Sequence, residues 1–246
     1  MCPVTPWQWA NVALSLLWIV MITNAFNLID NMDGLCAGVV VVICLFRFWL
    51  LAAEGHMADA QMSAVIAAAF YGFLLFNYHP ARIFMGDCGS LPVGFAMGAL
   101  TLASPAPHPR LLLAGFFYPA LTFTYPIFDT ALVSVLRKLT GRPISVGGRD
   151  HSSHRLVSLG LGQRRVVWIL WVLTGLGSAL GLMIRWAPGA WLAAVAAATG
   201  VLGMFGLFLA RAPGYELPGW WRGWLRRGES TQPDVRIAED LGVIRH

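Results

Sequence analysis

Charged side chains are scarce in this chain. Asp, Glu, Lys and Arg make up 12% of its 246 residues, against about 25% in a typical soluble domain. Hydrophobic residues make up 57%, and the mean hydropathy is +0.65. So few charges cannot solvate a globular surface, which excludes an ordinary soluble domain and leaves a polytopic membrane protein. Cysteine is sparse too: Cys2, Cys36, Cys44 and Cys88 show no Cys-x-x-Cys spacing, so neither a disulfide framework nor a zinc cage is expected. No Walker loop, His-Glu-x-x-His, Gly-x-Ser-x-Gly or Gly-x-Gly-x-x-Gly motif occurs. The first apolar run lacks a basic n-region and a small-residue cleavage site, so no signal peptide is expected. No internal repeat of the transporter kind is evident. The basic residues lie between apolar spans, with no soluble domain to carry them, which argues against nucleic-acid binding.

What is present is a series of apolar runs. A helix needs about 20 mostly apolar residues to cross the hydrocarbon. Seven spans are predicted, at 8–23, 36–53, 61–78, 90–104, 111–136, 166–185 and 190–210. The fourth is short, and Gly94 and Gly98 suit close helix packing. The fifth is long and holds Pro119 and Pro126, which predicts a kink. Gly177 and Gly181 permit close packing as well, either within the chain or between two copies in a homodimer.

The net charge is +5, but its placement says more. Of the 17 Lys and Arg, all but Arg47, Arg110 and Arg185 fall on one side of the predicted spans, in 79–89, 137–165 and the tail. By the positive-inside rule that side is cytoplasmic, together with residues 24–35, and the N-terminus is outside. Residues 1–210 then form a membrane domain. Residues 211–246, rich in Pro, Gly, Trp and Arg, form a cytoplasmic tail that reads as a membrane-surface or disordered extension.

Four polar stretches interrupt the apolar pattern, all at the cytoplasmic ends of spans. "TNAFNLIDNMDGLCAG" carries Asn24, Asn27, Asp30, Asn31 and Asp33. Asn27, Asp30 and Asp33 recur every three residues and would share one face of a helix or tight turn. Helix capping is the plain alternative, but capping accounts for one or two polar residues rather than five. "RIFMGDCGSLPVG" sets Asp87 beside glycines, with Ser90 opening a helix whose N-terminus favours an anion. That setting suits a Mg²⁺–diphosphate site; an ordinary Gly-Asp turn is the alternative. "PIFDT" places Asp129 inside the fifth span, a functional candidate by default or else half of a buried salt bridge. "GRPISVGGRDHSSHRLVSLGLGQRR" offers Arg149, His151, His154 and Arg155 for a phosphate or nucleotide. Two histidines without a third ligand are a weak zinc signal, and a basic loop also binds anionic lipid by charge alone.

"NAFNLIDNMDGL", "FMGDCGSLPVG", "PIFDT" and "GRDHSSHRL" occur here in the order and spacing of the polyprenyl-phosphate N-acetylhexosamine-1-phosphate transferases, which this chain resembles over about residues 8–185. "GRPISVGGRDHSSHRL" looks more like the GlcNAc-type branch than the muramoyl-pentapeptide branch. The resemblance implies an all-α enzyme of a bacterial inner membrane with its active site toward the cytoplasm. It would move a sugar 1-phosphate from a UDP-N-acetylhexosamine to undecaprenyl phosphate, release UMP, and serve cell-wall or surface polysaccharide synthesis. It implies Mg²⁺, or Mn²⁺ in its place, with Asp87 as the metal ligand and Asn27, Asp30 and Asp33 lining the same pocket. The candidate substrate-binding residues are Asn24, Ser90, Asp129, Arg149, His151, His154 and Arg155. The chain departs from the family in lacking an Asp-Asp motif on an earlier cytoplasmic loop; Glu239-Asp240 lies in the tail. On this reading it is an N-terminally truncated, C-terminal part of the family fold. The alternative is a non-catalytic membrane protein that binds lipid phosphate or nucleotide-sugar.

Overall fold

A computed structural model describes residues 7–103, 112–139, 150–187, 189 and 191–209. Among these residues the regular structure is helical and no strand occurs: α1 (Gln8–Ile29), α2 (Leu35–Ala53), α3 (Met57–Asn77), α4 (Asp87–Ala103), α5 (Leu112–Thr122), α6 (Thr124–Leu139), α7 (Ser152–Ser158), α8 (Gln163–Trp186) and α9 (Trp191–Leu209). The helices α1, α2, α3, α8 and α9 are long and apolar enough to cross a membrane. The protein is an all-α polytopic membrane protein. Arg149 and the tail 211–246 lie outside the described residues.

Three expectations change. The first span does not stop at residue 23; α1 continues to Ile29, so Asn24 and Asn27 sit on helix rather than beyond it. The fifth span is two helices, not one kinked helix. The break is at Phe123, three residues before Pro126, whose ring nitrogen cannot donate back to the Thr122 carbonyl. Third, the basic stretch after α6 is not wholly loop, since Ser152–Ser158 forms the short helix α7.

The helix α2 is central. Leu35 to Val40, Ile43 and Cys44 are buried against Ile22, Phe26 and Ile29 of α1 and Leu170 of α8. With lipid outside, apolar surface alone does not drive helices together, and close backbone approach through small residues does more. On α4 a Cβ at Gly94 would stand 2.7 Å from the Thr23 Cα, and one at Gly98 would stand 3.3 Å from the Ile19 Cα, so both glycines bring α4 onto α1. A Cβ at Gly177 would lie 2.6 Å from the Leu121 carbonyl, and one at Gly181 3.3 Å from that of Tyr118. That pair therefore packs α8 on α5 within the chain. By contrast Val65, Leu75 and Phe76 of α3 and Met204, Leu207 and Phe208 of α9 point outward, as lipid-facing side chains do.

The ends of α1, α3 and α6 and the starts of α2, α4 and α8 gather at one pole. The α1–α2 turn closes on Gly34, whose φ of +77° lies in the left-handed region that glycine adopts without steric cost. Its N–H donates to the Asn77 Oδ1 at 3.0 Å, and the Asn77 amide donates on to the Ile83 carbonyl at 2.9 Å. One buried side chain at the end of α3 thus binds the α1–α2 turn to the loop before α4.

Candidate active site

The last turn of α1 and the first turn of α4 meet through Asn27. Its Nδ2 donates to the Asp87 Oδ1 at 2.8 Å and to the Ser90 Oγ at 3.0 Å. Because an amide nitrogen only donates, it holds both acceptors in place and leaves the second Asp87 oxygen for other partners. Asp87 is exposed at the head of α4, just after Gly86, whose φ is +60°. Helix starts leave N–H groups without helical partners and favour an anion there.

Asp30 caps the C-terminus of α1 and faces the same segment. Burial raises its carboxyl most, the Gly86 N–H lowers it, and the nearby Asp87 charge raises it again, for a result of about 6. Asn27, Asp30, Asp87 and Ser90 thus converge. Asn24 is exposed one turn earlier on α1. Asp33 is drawn elsewhere: its Oδ2 lies 2.9 Å from the His79 Nδ1 and accepts from the Ala81 N–H at 3.1 Å. It therefore fixes the start of the α3–α4 loop rather than joining Asp30 and Asp87 directly.

The second half of the site is α7. Asp129 is fully buried in α6 and engages the residues that open α7, with His151 Nδ1 2.7 Å from its Oδ2 and the Ser152 N–H donating to its Oδ1 at 2.7 Å. Its polar partners are thus His151 and Ser152, while Arg137 donates its Nε to Asp150 at 2.9 Å. Ser153 donates to the Asn31 Oδ1 at 2.7 Å, which sets α7 against the α1–α2 turn. The His151 and His154 rings stand 6.5 Å apart. Arg155, read from sequence as a phosphate contact, is buried. Its Nε donates to the Asp150 carbonyl at 3.0 Å and its guanidinium reaches the Leu209 carbonyl at 3.5 Å. These bonds tie α7 to α9 within the fold.

Sequence reasoning missed Asn77 and His79. Their signal was present in "FNYHP", where two polar side chains end an apolar span just before a proline, the same kind of signal that singled out Asn27. It also missed the α8 contacts to this loop: Arg164 donates its Nε to the His79 carbonyl at 3.0 Å, and Trp168 donates to the Tyr78 hydroxyl at 3.0 Å.

Comparison with known proteins bears on this arrangement. The family model described as glycosyl transferase family 4 matches residues 3–104. A Bacillus subtilis protein named "Probable undecaprenyl-phosphate N-acetylglucosaminyl 1-phosphate transferase" is 36% identical over 177 residues, 72% of this chain and 49% of its own length. Over residues 3–104 the chain is similar to glycosyl transferase family 4. A decaprenyl-phosphate N-acetylglucosaminephosphotransferase of Mycobacterium tuberculosis is 33% identical over 69% of this chain and 46% of its own length. A phospho-N-acetylmuramoyl-pentapeptide-transferase of Acetivibrio thermocellus is 33% identical over 70% and 50%. The chain spans about half the length of these curated relatives. The family 4 match takes in α1 to α4, and with them Asn27, Asp30, Asp33, Asp87 and Ser90; Asp129 and α7 lie beyond it.

Proposed function

We propose that the protein transfers an N-acetylhexosamine 1-phosphate from a UDP-sugar to undecaprenyl phosphate, releasing UMP, at the cytoplasmic face of a bacterial inner membrane. The observation that carries this reading is the Asn27 amide bridging Asp87 and Ser90, with the Asp30 carboxyl close enough to be raised by the Asp87 charge. Two carboxylates and a helix start at one pole of an apolar bundle suit a reaction between a lipid phosphate at the membrane surface and a soluble nucleotide-sugar. Both reactants are anionic. Phosphoryl transfer asks the protein for positioning and charge neutralisation rather than covalent help. The names of the relatives support a polyprenyl phosphate acceptor, and the GlcNAc-type form of residues 141–156 supports UDP-GlcNAc as donor.

In the reaction, an oxygen of the lipid phosphate attacks the β-phosphorus of the UDP-sugar. The bond from that phosphorus to the oxygen bridging it to the α-phosphate breaks, and UMP leaves with that oxygen. The product is a sugar on a lipid diphosphate. Asn27 orients Asp87, the first turn of α4 receives phosphate, and His151 and His154 meet the nucleotide-sugar.

A divalent cation fits the residues at this pole. Mg²⁺ is usually held by one or two carboxylates, with phosphates and waters completing its shell, and Asp87 with Asp30 is such a pair. Among the described residues no group of three or more His, Cys, Asp or Glu could hold a metal alone, so a cation here would share its shell with substrate. Bound Mg²⁺, or Mn²⁺, would neutralise the diphosphate charge. Arg82, Arg137, Lys138, Arg164 and Arg165 at the same pole support the cytoplasmic orientation.

The test is the full-length protein in detergent with UDP-GlcNAc, undecaprenyl phosphate and Mg²⁺. UMP should form only when both substrates are present. No UMP from this donor, from UDP-MurNAc-pentapeptide or from related UDP-hexosamines would overturn the reading.

A further inference from the structure

Asp129 is the one carboxylate at this pole, among the described residues, whose side chain is fully shielded. A buried ionised carboxylate is costly unless several donors satisfy it. Here the donors come from two successive residues. The Oδ1 accepts both the Ser152 N–H and the Ser152 hydroxyl, and the Oδ2 faces the His151 Nδ1 at 2.7 Å. An ionised carboxylate can only accept, so opposite one the proton of the His151 contact lies on Nδ1. The imidazole is itself only 7% exposed and has little room to turn. On its other side α7 is pinned by the Ser153–Asn31 bond, and Asn31 follows Asp30 in the chain. The start of α7 is therefore clamped between α6 and the turn that carries the carboxylates.

We infer that Asp129 is a positioning residue that acts through His151, holding the ring with Nδ1–H turned inward and presenting Nε2 to the nucleotide-sugar. Carboxylates that fix a functional imidazole by its second nitrogen work in this way: they set the tautomer and the ring orientation without touching the reactants. The role of His151 toward substrate rests on the transferase reading; the tautomer does not.

Two measurements test the inference. The first is ¹⁵N NMR of the full-length protein labelled at histidine, in detergent at pH 8.5, with the His151 signals assigned by their loss in His151→Gln. Nδ1 should be the protonated nitrogen and Nε2 the unprotonated one; the opposite tautomer overturns the inference, and this reading needs no change at Asp129. The second is a double-mutant cycle on UMP release. Asp129→Asn should lower kcat/KM for the UDP-sugar about 10- to 100-fold, the range for groups that orient a functional imidazole. It should cost almost nothing further in a His151→Gln background. Full additivity would mean that Asp129 acts independently of His151 and would overturn the inference. If the wild-type protein releases no UMP from any donor, the transferase reading falls, and the tautomer alone decides whether Asp129 orients His151.

Discussion

Asp87 stands exposed at the head of α4, whereas Asp30 is half-buried at the end of α1, and substitutions should separate them. Asp87→Asn keeps an oxygen to accept from Asn27 and removes only the charge. Turnover should fall at least ~100-fold, the upper end for disturbing a metal-site group, with partial recovery at high Mg²⁺ or with Mn²⁺. Thermal melting should barely move, because an exposed carboxylate does not hold the helices together; near-normal turnover at limiting Mg²⁺ would contradict the role. Asp30 makes a pH prediction. Its folded value of about 6 lies above its ordinary 3.8, so the fold favours the protonated form. The stability it contributes is therefore present below about pH 3.8 and lost as pH rises through about 6. In metal-free buffer, Asp30→Asn should gain melting temperature relative to wild type between pH 4 and 6.5 and hold that gain above it. A constant difference across this range would contradict the raised carboxyl. Mg²⁺ binding to the wild type, followed by calorimetry, should weaken below about pH 6 as the proton competes.

At the scale of elements, the helices meet where side chains are missing. Gly177 lets α8 approach the Leu121 carbonyl, while Gly200 on α9 has nothing within 4 Å of where a Cβ would stand. Gly177→Val should destabilise the protein by roughly 1–3 kcal/mol, the range for forcing volume into a packed interface. Gly200→Val should leave melting in detergent almost unchanged; equal effects would contradict the packing described. Much of this level was legible in the sequence. Apolar runs locate most of the helices because crossing a membrane requires length and hydrophobicity, and Gly94 and Gly98 marked α4 for close packing without saying against which helix. The two-helix form of the fifth span was less so, because a proline marks a disturbance without saying whether the helix bends or restarts. The short α7 was hidden by its polar composition. At the site, Asn27 and Asp30 could be singled out because polar groups are costly at the end of an apolar span, and Asp87 by its glycine turn before a helix. Their partners could not, since Asp33 with His79, and Asp129 with His151, join residues 46 and 22 apart that only the packed helices bring together.

At the scale of the whole molecule, one pole gathers the candidate site residues among those described, and the sides there are apolar. The carboxylates, the start of α4 and α7 lie where α1, α3 and α6 end, so a reactant with a long hydrocarbon tail can present its phosphate there while the tail stays among lipids. The central claim is that the phosphorus attached to the sugar moves with it. The most direct measurement uses UDP-GlcNAc carrying ³²P in the β-phosphate, with undecaprenyl phosphate, Mg²⁺ and the full-length protein in detergent. The account predicts that the label passes into the organic phase with the lipid, leaving unlabelled UMP in water. Sugar transferred to the lipid with the label left in water as UDP would contradict it.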